Sequence, residues 1–328
     1  MSAPVATSYR IGNEDLPVYD NRVAFAQTLI ELAATDSRIV AVVNDSVGSS
    51  NLNAFRDAYP DRLINVGIAE QNMVGVGAGL ANAGMIPFVC AAGPFLTGRA
   101  LEQIKADVAY SQLPVILCGM SPGMAYGELG PTHHSVEDLS WLRALPGLDI
   151  VVPADEVQIR QAVRNAVAAP RPQYIRVGRH KVPNLVAEGT ELVRGQMQTI
   201  RAGANATIIA TGSMLSRAVA AAEILRGLSI EVRVLNAPYI APLDEAAVLV
   251  AARETGAIVT VEEANVAGGL GAAVAAVVVA SAADGRVPMR ILGTNDWSPT
   301  LSTDALYEHF GLTAEQIAVS VQEVLARD

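Results

Sequence analysis

Short β-branched runs alternate with stretches of helical spacing, and this alternation limits the folds open to the chain. The runs at 39–43, 86–90, 114–118 and 150–152 are separated by segments at 21–34, 69–83, 96–110 and 155–167 whose apolar residues recur every three or four positions. Apolar runs without polar alternation are strands buried on both faces, and the intervening helices are long enough to cross back over a sheet. The pattern predicts a mainly parallel sheet covered by helices on both sides. Asp20 precedes the first helix as its N-cap. From 181 to 206 the period dissolves into polar, Gly-punctuated sequence. It restarts with strands at 207–210, 231–235 and 257–261 and helices at 215–226, 244–252, 270–283 and 313–326. The expected fold class is α/β, as two consecutive α/β domains spanning 18–185 and 200–328, the second also on a mainly parallel sheet.

Hydrophobic residues make up 51% of the chain and charged ones only 17%, so apolar surface is in surplus and is expected to be buried partly against another subunit. The net charge is −10 and no Lys/Arg cluster interrupts it, which argues against nucleic-acid binding. A phosphorylated ligand is compatible with that charge, because one or two placed arginines suffice. Cys90 and Cys118 each end an apolar run and read as reduced core residues. The N-terminus has no basic start followed by an apolar stretch, and the apolar run at 269–283 is short and alanine-rich for a membrane span. A cytoplasmic protein without membrane contact is expected.

Several segments carry candidate chemistry. VGIAEQNM, at 66–73, puts Glu70 at a strand-to-helix junction, followed by Gly75, Gly77, Ala78 and Gly79, whose small side chains let the helix approach its neighbours closely. Alternatively, a Glu in a first helical turn simply complements the helix dipole. FLTGRALEQI starts at Phe95 and includes Arg99; GELGPTHHS, at 127–135, presents His133 and His134 on a rigid loop; YIRVGR ends at Arg179. Each has a plainer reading: core packing for Phe95, a surface or packing role for His134, a salt bridge for Arg179. Adjacent histidines seldom ligate one metal together and no Cys or acidic cluster completes a site, so no metal is assigned to this chain.

In this order and spacing, the segments resemble the pyrimidine-binding domain of transketolases and of deoxyxylulose-phosphate synthases. EEANVAGGLG, at 262–271, resembles their C-terminal domain. The resemblance covers nearly the whole chain and implies the C-terminal subunit of a split transketolase, a thiamine-diphosphate-dependent transferase of ketol units. It implies that Glu70 hydrogen-bonds the aminopyrimidine and activates it. That role asks for a carboxyl that keeps its proton near neutral pH, which burial in an apolar cleft favours. By the same resemblance Phe95 stacks on the aminopyrimidine, with Arg99 assigned to the cofactor; Asp45, at the end of its strand, falls where cofactor-side residues collect in open α/β sheets. His133 faces the substrate hydroxyls and moves protons, and Arg179 takes a terminal phosphate; Glu128, next to Leu129, is a further candidate substrate contact that could stand in for the family's aspartate.

The sequence departs from the family in its substrate loop. Leu129 stands where transketolases carry an aspartate that reads donor stereochemistry, and Ser121 where they carry a phosphate-contacting histidine. The segment NDWSP, at 295–299, is unlike the family pattern and is expected at an interface or a specialised pocket. No Gly-Asp-Gly motif for magnesium and diphosphate is present; Asp284-Gly285 lacks its context. Mg2+ and the diphosphate are therefore expected on a separate N-terminal subunit, in an α2β2 heterotetramer acting on sugars or sugar phosphates. The alternatives are the β subunit of a 2-oxo-acid dehydrogenase, a transketolase for an unusual sugar, and a non-catalytic subunit that stabilises a partner.

Overall fold

The β-branched runs become strands. The computed structural model describes residues 8–281 and 287–326. One sheet has seven strands in the order Tyr239–Ala241, Asp149–Val151, Gln173–Val177, Ile116–Met120, Ile86–Ala92, Ile39–Val43 and Leu63–Asn65. All neighbours pair in parallel except Tyr239–Ala241, which runs antiparallel at one edge. Both faces are covered. Ile39, Ala41 and Val43 join a cluster with Phe25 and Leu29 of helix Asn21–Ala33 and with Ile159 and Val163 of helix Glu156–Ala168. Val42, Val89 and Leu117 point the other way, toward Met73 and Val74 of helix Glu70–Asn82. This two-sided burial explains why these strands read as continuous apolar runs.

A second α/β unit follows, with strands in the order Gln198–Arg201, Val232–Asn236, Ala206–Ala210, Ile258–Asn265 and Met289–Thr294. Only the Gln198–Arg201 pairing is antiparallel. Helix Ala314–Leu325, opened by a capping box between Thr313 and Gln316, packs on helix Met214–Arg226. A small antiparallel sheet of Ser8–Ile11, Glu14–Tyr19 and Val182–Pro183 lies beside the two large ones. Among the described residues no helix is long and apolar enough to cross a membrane.

Three expectations need correcting. The helix foreseen at 96–110 is broken into π-helical stretches, Phe95–Arg99 and Ile104–Tyr110, around one short α turn, Leu101–Gln103. Such wide turns accommodate an extra residue and recur at functional sites. Of the three glycines after Glu70, Gly77 alone is held close, since a Cβ there would fall 2.6 Å from Cγ2 of Val89; Gly75 and Gly79 face open space. The helix foreseen at 270–283 ends at Ala280, and residues 282–283 lie outside the described residues, as does the Asp284-Gly285 pair.

Candidate active site

The residues singled out in the sequence gather along the carboxyl ends of the parallel strands, where open α/β sheets leave room for ligands. Asn44 and Asp45 follow Ile39–Val43, Glu70 follows Leu63–Asn65, Phe95 follows Ile86–Ala92, the GELGPTHHS loop follows Ile116–Met120, and Arg179 follows Gln173–Val177.

Glu70 opens its helix and is only 3% exposed. Its surroundings are not the apolar cleft expected. Oε1 accepts from Nδ2 of Asn44 at 2.7 Å and from Nη1 of Arg99 at 2.9 Å. No hydrogen bond reaches Oε2 among the described residues, and Glu70 lines an open depression with Ile68, Asn72 and Arg99. Ile68, 77% exposed, presents an apolar side chain at the rim. Sequence reasoning placed Asp45 on the cofactor side and missed Asn44. Asp45, at φ +72°, is exposed and accepts instead from Asn65 Nδ2 at 3.1 Å. The left-handed backbone at Asp45 sends consecutive side chains to different partners, which strand periodicity does not reveal.

From Glu70 a continuous series of contacts runs across the sheet edge. The Arg99 guanidinium lies 4.1 Å from the Phe95 ring centroid, and Phe95 meets the His133 ring edge-on at 5.2 Å. His133 meets Tyr126 at 5.9 Å, and Arg179 lies 5.4 Å from the Tyr126 centroid. All the candidate side chains except Asp45 and Glu128 thus fall in one row, with Tyr126 and Asn44 added by the structure. Arg179 is exposed and has no carboxylate partner among the described residues. Glu128 is exposed in the turn Gly127–Leu129, without a hydrogen bond or ion pair among the described residues.

The two histidines of the loop separate cleanly. His133 is half-buried, with Nδ1 3.0 Å from the Thr132 hydroxyl. His134 is buried, its Nε2–H donates to the Gly127 carbonyl at 2.8 Å, and burial lowers its pKa; it is a packing residue. Among the described residues no group of three or more His, Cys, Asp or Glu could hold a metal ion.

The second unit braces this loop. Glu263 Oε1 accepts from the Met124 amide and Oε2 from the Ser213 hydroxyl, each at 2.7 Å. Gly123, at φ +65°, has room for no side chain, because a Cβ would fall 2.2 Å from the Glu263 carboxyl carbon. Thr303 Oγ1 donates to the Met124 carbonyl at 3.2 Å. Beneath the loop, buried Arg176 pairs with Asp138, which also accepts from Tyr174 Oη at 2.6 Å, and Arg176 Nη1 donates to the Glu263 carbonyl at 3.1 Å. This polar core escaped the sequence reasoning, since Arg176 sits in a run that otherwise marks a strand.

The row suits thiamine diphosphate. A planar cationic group already stacks on Phe95 and hydrogen-bonds Glu70, and an aminopyrimidine offers the same combination of flat ring and N–H donors.

The sequence matches two family models, "Transketolase, pyrimidine binding domain" over residues 18–184 and "Transketolase, C-terminal domain" over 195–317. It is 42% identical over 308 residues to one subunit of the apulose-4-phosphate transketolase of Phocaeicola vulgatus, covering 93% of this chain and 97% of that one. It is 40% identical over 307 residues to a 6-deoxy-6-sulfo-D-fructose transketolase subunit of a Clostridium species, covering 93% and 94%. A split-gene transketolase, solved as an inactive β4 tetramer, superposes with a TM-score of 0.84 at 36% identity over 94% of this chain and 98% of that one. The chain belongs to the transketolase family, as the subunit that in its split members joins the pyrimidine-binding domain to the C-terminal domain.

Proposed function

We propose that this chain supplies the aminopyrimidine-binding and substrate-facing half of a split transketolase, which transfers a two-carbon ketol unit from a ketose to an aldose. The observation that carries this reading is the unbroken row from Glu70 through Arg99, Phe95, His133 and Tyr126 to Arg179. It spans the two ends such a reaction requires, a carboxyl for the cofactor ring and an exposed guanidinium for a terminal anion. Thiamine diphosphate, when bound, supplies the carbanion equivalent that holds the ketol unit.

Within the chain, Asn44 and Arg99 fix Glu70 through one oxygen, leaving Oε2 to exchange a proton with the ring nitrogen. Phe95 stacks on the ring, with Asp45 an outer cofactor contact. His133 moves protons at the substrate hydroxyls, while Arg179 and Glu128 contact the distal part of the sugar. Mg2+ and the diphosphate are assigned to a separate N-terminal subunit, in a cytoplasmic α2β2 assembly, with domain limits of 18–185 and 200–328 on this chain.

The sugar is proposed to carry a terminal phosphate or sulfonate, in keeping with the names of the relatives and with Arg179, which has no carboxylate partner among the described residues. Leu129, 55% exposed where an aspartate reads stereochemistry in transketolases, supports an unusual donor rather than a common pentose phosphate.

The test is reconstitution with the cognate N-terminal subunit. Glu70→Gln is expected to lower ketol-transfer turnover by about 10²–10⁴-fold while the assembly still forms. Full turnover in that variant would refute the role of Glu70. Failure of the wild-type assembly to bind thiamine diphosphate in calorimetric titration would favour a non-catalytic, partner-stabilising subunit.

A further inference from the structure

We infer that Tyr126 is a specificity-determining residue, whose ring holds the Arg179 guanidinium in position for a terminal anion of the sugar and sets its span from His133. The inference rests on the function proposed above and assigns a role to a side chain outside the family resemblance. Tyr126 is half-buried immediately before the turn Gly127–Leu129. Its ring has two neighbours of different chemistry, the His133 imidazole meeting it edge-on at 5.9 Å and the Arg179 guanidinium at 5.4 Å from its centroid. Through this ring the proton-moving and anion-binding groups share one wall.

Three observations converge on this assignment. Arg179 is exposed and has no carboxylate partner among the described residues, in a chain of net charge −10 where carboxylates are plentiful. A long side chain free of ion pairs would sample many rotamers, and the aromatic face is what limits it. The backbone two residues before Tyr126 is tied to the second unit, by the Met124 amide on Glu263 and by the Thr303 hydroxyl on the Met124 carbonyl, which fixes the base from which the ring projects. Ser121, at the place of the family's phosphate-contacting histidine, is fully buried, and Leu129 beside the ring is exposed and apolar. The Arg179 guanidinium therefore carries the recognition of the terminal anion, and its geometry depends on Tyr126. Phosphate and sulfonate share the trigonal array of anionic oxygens that a guanidinium pairs with, so the two are one ligand class here.

The experiment compares Tyr126→Leu and Tyr126→Phe with the wild-type chain, each assembled with the partner subunit. Aldose acceptors bearing a terminal phosphate, a terminal sulfonate or no charge are used. In Tyr126→Leu the preference in kcat/KM for either anionic acceptor over the uncharged one is expected to fall about fivefold, the range of one cation–π contact. The loss should lie mainly in KM. Tyr126→Phe should restore the preference, because the ring face is kept. Equal losses on charged and uncharged acceptors, or a Phe variant as impaired as Leu, would overturn the inference. A loss confined to one anion would show that the ring selects between phosphate and sulfonate, overturning their treatment as one class. Titration of the chain alone with inorganic phosphate reads the same contact without turnover. Weaker binding by Tyr126→Leu is expected, and equal binding would count against the assignment even if the wild-type assembly transferred no ketol unit.

Discussion

Arg99 donates from Nη1 to Oε1 of Glu70 at 2.9 Å, in an ion pair whose acidic side chain is 3% exposed and whose basic one is 50% exposed. The asymmetry matters energetically. The carboxyl has lost its water, whereas the guanidinium keeps half of its hydration, so the attraction is screened from one side only.

Replacing Arg99 by Met is therefore expected to destabilise the chain by about 1 kcal/mol, less than a fully buried pair would cost. Asn44 still donates to the same oxygen at 2.7 Å and limits the loss. Urea unfolding checks this, and an unchanged midpoint would mean that Asn44 alone holds Glu70.

The Arg176–Asp138 pair is a different case, with both side chains out of solvent. Asp138 also accepts from Tyr174, and Arg176 reaches the carbonyls of Ser135 and Glu263. Arg176→Met removes the charge that balances the buried Asp138 carboxylate, leaving it only the Tyr174 hydroxyl and the Leu139 amide, and a loss of about 3–5 kcal/mol is expected in denaturant unfolding. A loss below about 1 kcal/mol would show that the cluster relaxes around the cavity.

Glu262 makes stability depend on pH. Burial pushes its carboxyl up from 4.5 to about 7, even though the Leu270 and Gly271 amides donate to it at 2.7 and 2.8 Å and act in the opposite direction. The folded chain thus holds this proton more tightly than the unfolded one. The stabilisation is complete below about pH 4.5 and is lost as pH rises through about 7, an effect of about 3 kcal/mol. Urea midpoints across that window should fall for the wild type relative to Glu262→Gln. Parallel curves for the two proteins would contradict the assignment.

Most of the fold was legible because the strands are buried on both faces, and such burial writes itself as uninterrupted apolar runs. Short edge strands such as Leu63–Asn65 and Tyr239–Ala241 bury too few side chains to leave that mark. The wide turns from Phe95 to Tyr110 were also invisible, since their apolar spacing passes for that of an ordinary helix. In the candidate site, Glu70, Phe95, His133 and Arg179 were singled out from their segments and fall in one row, but the side chains that touch them could not be read. Asn44 and Tyr126 make their contacts across the sheet edge, and a strand followed by Asn-Asp-Ser gives no reason to prefer the first residue over the second.

The antiparallel strand Tyr239–Ala241 gives the chain an order of assembly. It closes the edge of the first sheet, yet it is made only after the Gln198–Arg201 and Val232–Asn236 strands of the second. During synthesis the Asp149–Val151 strand stays unpaired on that side until the ribosome has passed Ala241, several seconds after Val177 at about 5–20 residues per second. An open edge of that kind recruits other strands. A fragment ending near residue 185 would carry the Glu70 row together with a permanently sticky flank, and the two halves of this chain are better regarded as one folding unit than as interchangeable modules.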